Sequence, residues 1–415
     1  MSCCSESGLL PVPVAIQTLI DAVRAEQVPS AETLPLTEAC GMTLAAPVCS
    51  PVSVPPHDNS AMDGYAIRYQ DRETQPALPV SQRIPAGVAP EALMPATAAR
   101  IFTGAPVPEG ADTVVMQEDC ILNDDGSVSI TENIRQGAHI RRAGEDIREG
   151  QEILAAGHRL QACDIGLIAS VGVDQVSVYR KLRVAVLVSG DELLEPGQPP
   201  EPGKIYNSNQ YMLVPLLQQL GFEVSWQANV QDTFDATLEA LKSAAEKADV
   251  IVTTGGVSVG EEDHLKPAVE AMGQLNLWKV NIKPGKPFAF GHVDHAGKQV
   301  PFIGLPGNPV SVFATLLVLG VPYLRTLQGQ CWKPPVPVKV PAAFTVSKPG
   351  KRDEYLRVRV IENKGVACLE KYPNQSSGVL SSVAWADGFA VVKAGEQYET
   401  GDLVPFLRMD QLMHG

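Results

Sequence analysis

The sequence predicts an α/β multidomain protein, with a doubly wound, mostly parallel sheet over residues 181–328 and β-rich segments on either side. Three observations carry this prediction. Runs of β-branched residues alternate with amphipathic helical patterns through 181–328, as parallel βαβ units require. Gly (35) and Pro (34) are together about one residue in six, which favours turns and short strands. The 415 residues also exceed what one hydrophobic core usually fills, at roughly 150 residues per domain.

The elements follow in chain order. VAIQTLIDAVRAE (14–26) has the spacing of an N-terminal helix. Residues 50–140 lack long helical periodicity and are rich in Pro, Gly and Val, which predicts strands and turns. LRVAVLVSG (182–190) is a continuous apolar run, the pattern of a strand buried on both faces. In SNQYMLVPLLQQLG (208–221), Leu213, Leu216, Leu217 and Leu220 share one helical face, with Ser208 read as N-cap and Gly221 as the closing glycine. FEVSWQANV (222–230) reads as strand, TFDATLEALKSAAEKA (233–248) as helix and DVIVTTGG (249–256) as a buried strand running into glycines. DHLKPAVEAMG is helical, and VPFIGLPGNPVSVFATLLVLG is strand, turn and helix. CWKPPVPVKVPAAF (331–344) is a Pro-rich boundary before short alternating strands such as YLRVRVI and FAVVK, which predict a C-terminal β-barrel or small β-domain from about 330. There is no internal repeat.

Composition excludes several function classes. The net charge of −14 argues against non-specific nucleic-acid binding and against an anionic membrane as partner. It leaves room for a small anionic ligand held by a few local cations. The longest apolar run, Phe313 to Val321, is too short to span a bilayer, and the N-terminus lacks the basic region of a secretory signal. Eight cysteines, two adjacent at Cys3 and Cys4 and six scattered singly, with no C-x-x-C pair, read as reduced thiols of a cytoplasmic protein.

Several segments have the residue types of a binding site. TTGGVSVGEEDHLK (253–266) places Gly255, Gly256, Ser258 and Gly260 after a strand, where backbone N–H groups can approach an oxyanion. It is neither a dinucleotide fingerprint nor a Walker A loop, and it equally fits a glycine turn before an acidic helix start. KPGKPFAFG (283–291) sets Lys283 and Lys286 across a Pro-Gly turn, able to clamp an anion or simply solvated. GLPGNPVSVF (304–313) holds Pro306, Asn308 and Pro309 at a strand-to-helix loop whose helix start could bind phosphate. Asp191 and Glu192 in VSGDEL, with Asp232 and Asp263, follow strand ends, so they suit either a hard cation such as Mg²⁺ or helix capping. PPHDNSAMDGYAI (55–67) and RRAGEDI (141–147) are polar turns; Asp63-Gly64 alone is a hairpin signal. The seven histidines lack metal-ligand spacing, and His57 reads as structural.

Taken together, PPHDNSAMDGYAI, IFTGAPVPEGADTVVMQED, RRAGEDI, SGDEL, TTGGVSVGEEDHLK, KPGKPFAFG and GLPGNPVS resemble the MoeA family, the bacterial molybdopterin molybdenumtransferases, with plant molybdenum-insertion proteins and the C-terminal region of gephyrin as relatives. The resemblance implies four units: 1–26 with 179–329 as the molybdopterin-binding doubly wound domain, 27–52 with 140–178 as an elongated linking domain, 53–139 as an inserted β-rich domain, and 330–415 as a C-terminal β-barrel. It implies an elongated homodimer, insertion of molybdate into adenylylated molybdopterin with release of AMP, a requirement for Mg²⁺, and transient contact with the adenylyltransferase that supplies the substrate. By the same resemblance, Gly255, Gly256, Ser258 and Gly260 would cradle phosphate or pterin. Glu192, Asp232 and Asp263 would serve the metal and the adenylate phosphate. Lys283 and Lys286 would bind molybdate, with Arg352 in KRDEYLR and Ser377 in NQSSG (Ser376 as the alternative) as further contacts. Asp63, Thr103 and Asp146 would reach the cleft from the partner subunit. His264 and His57 stand where such proteins often carry an aromatic residue. Two rival readings are a molybdopterin adenylyltransferase, which needs only the central fold, and a non-catalytic gephyrin-like scaffold.

Overall fold

The computed structural model describes residues 8–256 and 264–414. Ser258, Gly260 and Asp263 therefore lie outside the described residues. The central sheet has six strands in the order Glu223–Val230, Arg183–Ser189, Val250–Thr254, Lys298–Leu305, Pro287–His295, Gly273–Lys279. The first four run parallel and the last two pair antiparallel. Alternation along Arg183–Ser189 explains why helices cover both faces. Val184, Val186 and Val188 join one core, and Ala185 and Leu187 join the other. Helix Ser208–Gln219 covers the first face with Leu213, Leu216 and Leu217, and helix Phe234–Lys247 covers the second with Leu241, Ala244 and Ala245. The doubly wound expectation holds, with the antiparallel pair added at one edge.

Three local expectations change. The N-terminal helix is Val12–Asp21, not 14–26. It starts earlier because Pro13 is tolerated in a first turn. It stops earlier because Arg24 is extended, its N–H bonded to the Gln27 side chain at 3.0 Å. The cap of helix Ser208–Gln219 is Asn207 rather than Ser208, its side chain accepting from the Gln210 N–H at 3.2 Å. Finally, the helical stretch Pro309–Leu327, with one π turn at Leu316–Gly320, runs well beyond the apolar segment 313–321. Its 19 residues are long and apolar enough to cross a membrane by length and composition, yet 94% of that apolar span is buried inside the fold. It packs against Val12, Ala15 and Leu19 of the N-terminal helix in the larger core.

Before the central sheet, the chain pairs in a ladder of short antiparallel contacts: Ala31–Pro35 with Gln175–Tyr179, Val48–Cys49 with Glu152–Leu154, and Asn59–Ser60 with Ile140–Arg141. Between the last two segments lies a six-stranded sheet built from residues 64–130. After the central sheet, Val366–Lys371, Asp353–Asn363, Gly388–Val392, Leu403–Arg408 and Val338–Pro341 pair in that order. The Ala343 N–H then bonds the Leu369 carbonyl at 2.8 Å, which closes the barrel. Ile282–Lys283 of the central unit adds a parallel segment on Asp353 and Glu354, so the barrel is stitched to the central unit by backbone.

Asp249 joins the ladder to the sheet. Its carboxylate accepts from Arg180 Nη1 at 2.6 Å and Nη2 at 2.9 Å, and from the Arg183 backbone N–H at 2.8 Å and Nη2 at 3.0 Å. Burial pushes its pKa upward, but the Arg180 and Arg183 bonds outweigh burial and hold it below the ordinary 3.8. A depressed carboxylate stabilises the fold above its unfolded value and stops doing so as the pH falls through the folded one. Asp249→Asn should therefore cost about 2–3 kcal/mol in urea unfolding at pH 7, and the gap from wild type should narrow as the pH is taken below about 4.

Candidate functional site

The loops after the four parallel strands lie side by side at one sheet edge, the usual ligand position of such folds. Their order across the sheet places Asp232 first, then Asp191 and Glu192, then Gly255 and Gly256, then Pro306 to Pro309. Asp191 and Asp232 tie two loops together: the Asp232 N–H donates to Asp191 Oδ1 at 3.2 Å, and the Asp191 N–H donates to Asp232 Oδ2 at 3.4 Å. Burial, with the charges of Asp191 and Glu192, pushes Asp232 above its ordinary pKa, against hydrogen bonds from Asp191 and Ser189. Gly190 leaves room for Glu192, since a Cβ there would meet Glu192 Oε2 at 2.6 Å. An all-oxygen, mutually repelling donor set suits a hard divalent cation. Among the described residues, no three His, Cys, Asp or Glu side chains converge as a complete metal site.

The glycines earn their place by backbone geometry. Gly255 has φ +84° and Gly256 has φ +65°, left-handed conformations in consecutive residues. A Cβ on Gly255 would sit 3.0 Å from the Ser189 carbonyl, and one on Gly307 would touch Gly255 Cα at 3.8 Å. The glycine loop and the 306–309 loop are thus in contact. Asn209 secures them: its Nδ2 donates to the Gly307 carbonyl at 2.7 Å and to Thr254 Oγ1 at 3.4 Å. Asn209 Oδ1 is buried with no partner among the described residues.

The lysine turn meets the same region from the other side. Gly285 (φ +103°) lies against the long helix, where a Cβ would fall 2.3 Å from Thr315 Cγ2. Arg352 Nη1 donates to the Ile282 carbonyl at 2.9 Å, which holds the barrel's arginine beside the turn. The Ser377 carbonyl accepts from the Val310 N–H at 3.0 Å, at the first turn of the long helix. Lys283, Lys286, Arg352, Ser377, Asn308 and Pro309 are therefore gathered where barrel and central unit join. Lys283 Nζ is paired with Glu354 Oε1 at 2.8 Å, so the two lysines are not equivalent, and Lys286 is exposed.

Asp63, Thr103 and Asp146 form a second group. Thr103 donates to Asp63 Oδ1 from its N–H at 2.7 Å and its hydroxyl at 2.8 Å, and these bonds hold Asp63 below its ordinary pKa. Asp146 is exposed and lines a hollow of about 420 Å³ with Gly104, next to Thr103. Asp58 unites the two polar turns, accepting from Arg142 Nη1 at 2.5 Å and the Ala143 N–H at 2.9 Å. The hydrogen bonds of Asp63, Thr103 and Asp146 found among the described residues stay within 54–117 and 146. Sequence reasoning missed Asn209, Glu354 and Lys204, whose Nζ donates to the Asp191 carbonyl at 2.5 Å. Only Asn209 had a signal, its place in the first turn of a helix following a strand end.

Residues 10–172 match the family described as "MoeA N-terminal region (domain I and II)", residues 185–326 the "Probable molybdopterin binding domain", and residues 339–409 the "MoeA C-terminal region (domain IV)". The chain is similar to a protein of Haemophilus influenzae named molybdopterin molybdenumtransferase, 39% identical over 374 residues, which are 89% of this chain and 92% of the relative. A protein of the same name from a Nostoc species is 37% identical, covering 88% of this chain and 86% of the relative. Among solved structures, a molybdopterin biosynthesis moeA protein from Pyrococcus horikoshii OT3 superposes with a TM-score of 0.79 at 27% identity, covering 96% of this chain and 99% of that one.

The acidic edge makes one measurable demand. Because Asp232 holds its proton more tightly in the folded protein than in the unfolded chain, ionising it at neutral pH costs stability, and that cost disappears at pH values below 3.8. In the absence of divalent cations, Asp232→Asn should raise the thermal midpoint at pH 7, with the gain shrinking to nothing near pH 3.5.

Proposed function

Since the chain belongs to the MoeA family, we propose that it is a molybdopterin molybdenumtransferase that inserts molybdate into adenylylated molybdopterin and releases AMP. The observation that carries this reading is the junction where the barrel brings Arg352 and Ser377 to the lysine turn and the start of the long helix, beside the glycine loop. Molybdate and the pyrophosphate-linked pterin are both anions, so their mutual repulsion must be offset where they meet. Lys286 and Arg352 supply that charge, and Lys283 does so in competition with Glu354. Gly255 and Gly256, with Ser258 and Gly260 after them in sequence, would offer backbone N–H groups to the phosphate or pterin. Asn209 keeps the two loops in register, and Pro306, Asn308 and Pro309 set the start of the helix. Proximity and fixed charge then suffice, with no covalent protein intermediate.

Glu192 and Asp232, with Asp263, would hold Mg²⁺, which when bound neutralises charge on the adenylate phosphates. Asp63, Thr103 and Asp146 belong to the inserted and linking units, and we assign them to the cleft of the partner subunit in a homodimer. The four-unit division of the chain, transient contact with the adenylyltransferase that supplies the substrate, and a cytoplasmic location are parts of the same reading.

The direct assay incubates purified protein with adenylylated molybdopterin, molybdate and Mg²⁺ and follows AMP. Molybdate-dependent AMP release is expected, and its absence would remove the assignment. Losing one charge-assisted hydrogen bond costs about 1.5–3 kcal/mol, so Lys286→Ala should raise the molybdate concentration for half-maximal AMP release roughly ten- to a hundredfold. Binding of the adenylylated pterin should change much less. Equal weakening of both ligands would place Lys286 on the phosphates instead. For the shared cleft, an Asp63→Ala chain mixed with an Asp263→Ala chain should recover part of the activity that each lacks alone. No recovery after verified subunit exchange would confine each site to one chain.

A further inference from the structure

Away from the sheet edge, a hollow of about 660 Å³ opens between the linking ladder and the end of the long helix. Arg159, Arg325 and Lys333 line it, with Trp332 and the thiols of Cys40 and Cys331, and none of its lining residues is Asp or Glu. That is unusual in a chain of net charge −14. Arg325 is only 2% exposed. Its Nη1 donates to Gln330 Oε1 at 2.9 Å and its Nη2 to the Met413 carbonyl, both neutral acceptors. Its Nε is buried with no partner among the described residues. Burial, then the charge of Arg159, pulls Arg325 down to about 10, and burial lowers Arg159 too. Among the described residues, Arg159 donates to the Gly41 carbonyl at 3.3 Å and pairs with no carboxylate. Two guanidinium groups that repel each other, one buried and one part-buried, with no carboxylate partner among the described residues, cost the fold free energy that a bound anion would return. Guanidinium donors favour phosphate oxygens, and the hollow has ample volume for a nucleoside monophosphate.

We propose that this hollow is a binding site for a small phosphate-bearing anion, held by Arg159, Arg325 and Lys333, with the Trp332 ring as a wall for any attached base. The site is separate from the lysine turn and stands whether or not the proposed transferase reaction is correct. Its position gives occupancy a structural effect. The Gln330 side chain donates to Thr43 Oγ1 at 3.1 Å and the Cys331 N–H to the Gly157 carbonyl at 3.2 Å, so an anion here would brace the linking ladder against the strap that leads to the barrel.

The exposed thiols report on the site directly. Cys40 and Cys331 line it, whereas exposed Cys49 and Cys163 do not and serve as internal controls. The full chain is alkylated at constant pH and ionic strength with increasing inorganic phosphate or, separately, AMP, and each cysteine is followed by peptide mass. Saturable slowing at Cys40 and Cys331, with Cys49 and Cys163 unaffected, is expected. Arg159→Gln should raise the half-protecting concentration roughly ten- to a hundredfold. Lys333→Gln, on the exposed strap, serves if the first variant does not fold, and should shift it in the same direction. Protection at lower concentration by AMP than by phosphate assigns the Trp332 wall to the base; equal protection assigns the phosphate alone. Unchanged rates at Cys40 and Cys331, equal slowing of all four thiols, or protection unaltered in the folded variant would overturn the site.

Discussion

The helical stretch Pro309–Leu327 has almost no polar face, so it must be covered on every side, and that requirement assembles the molecule. The central sheet covers one flank and the N-terminal helix another. Tyr355, Phe389 and Val391 of the barrel join the same core. The barrel is thus a wall of the central unit as well as a sheet with its own core, and the hydrophobic effect supplies most of the force that holds it there. The consequence for the site is positional. The helix begins at Asn308 and Pro309 beside the glycine loop, passes Gly285 of the lysine turn at Thr315, and brings Arg325 of its last turn to the cationic hollow.

Around that buried axis, charge is managed locally. The chain is acidic overall, and carboxylates crowd the sheet edge at Asp191, Glu192 and Asp232. The cations that would meet an anionic substrate come from a different direction, on the turn and barrel that dock against the helix. Carboxylates and cationic side chains thus stand on opposite sides of the glycine loop, where they do not neutralise one another. Lys283 is the exception, because Glu354 already holds it. Lys283 is thus engaged by a carboxylate of the barrel before any ligand arrives.

Seams between units rely on single well-connected groups. Asp249 gathers Arg180 and Arg183 where the ladder enters the sheet. Asp58 gathers Arg142 and Ala143 where the inserted sheet begins and ends, so two polar turns distant in sequence behave as one surface. Removing such a group leaves several donors unsatisfied at once, which makes these positions more sensitive than their exposure suggests.

Most of the central fold was legible in the sequence because its information is local. Unbroken apolar runs gave buried strands, leucines at helical spacing gave the face of helix Ser208–Gln219, and glycines after strands marked loops that adopt left-handed conformations. The motifs put Asp232, Glu192, Gly255, Gly256 and Pro306 to Pro309 on loops that the structure gathers at one sheet edge. What the sequence could not carry were pairings between distant positions with no periodic trace. Lys283 meets Glu354 across 71 residues, Asp232 exchanges hydrogen bonds with Asp191 across 41, and Ile282–Lys283 extends the barrel sheet. The proximity of Arg159 and Arg325 belongs to the same class. By itself the sequence determined which segments become strands, helices and turns, since backbone preference and hydrophobic period act over a few residues. Only the tertiary structure decided which charges face each other, because that depends on how the buried helix is enclosed.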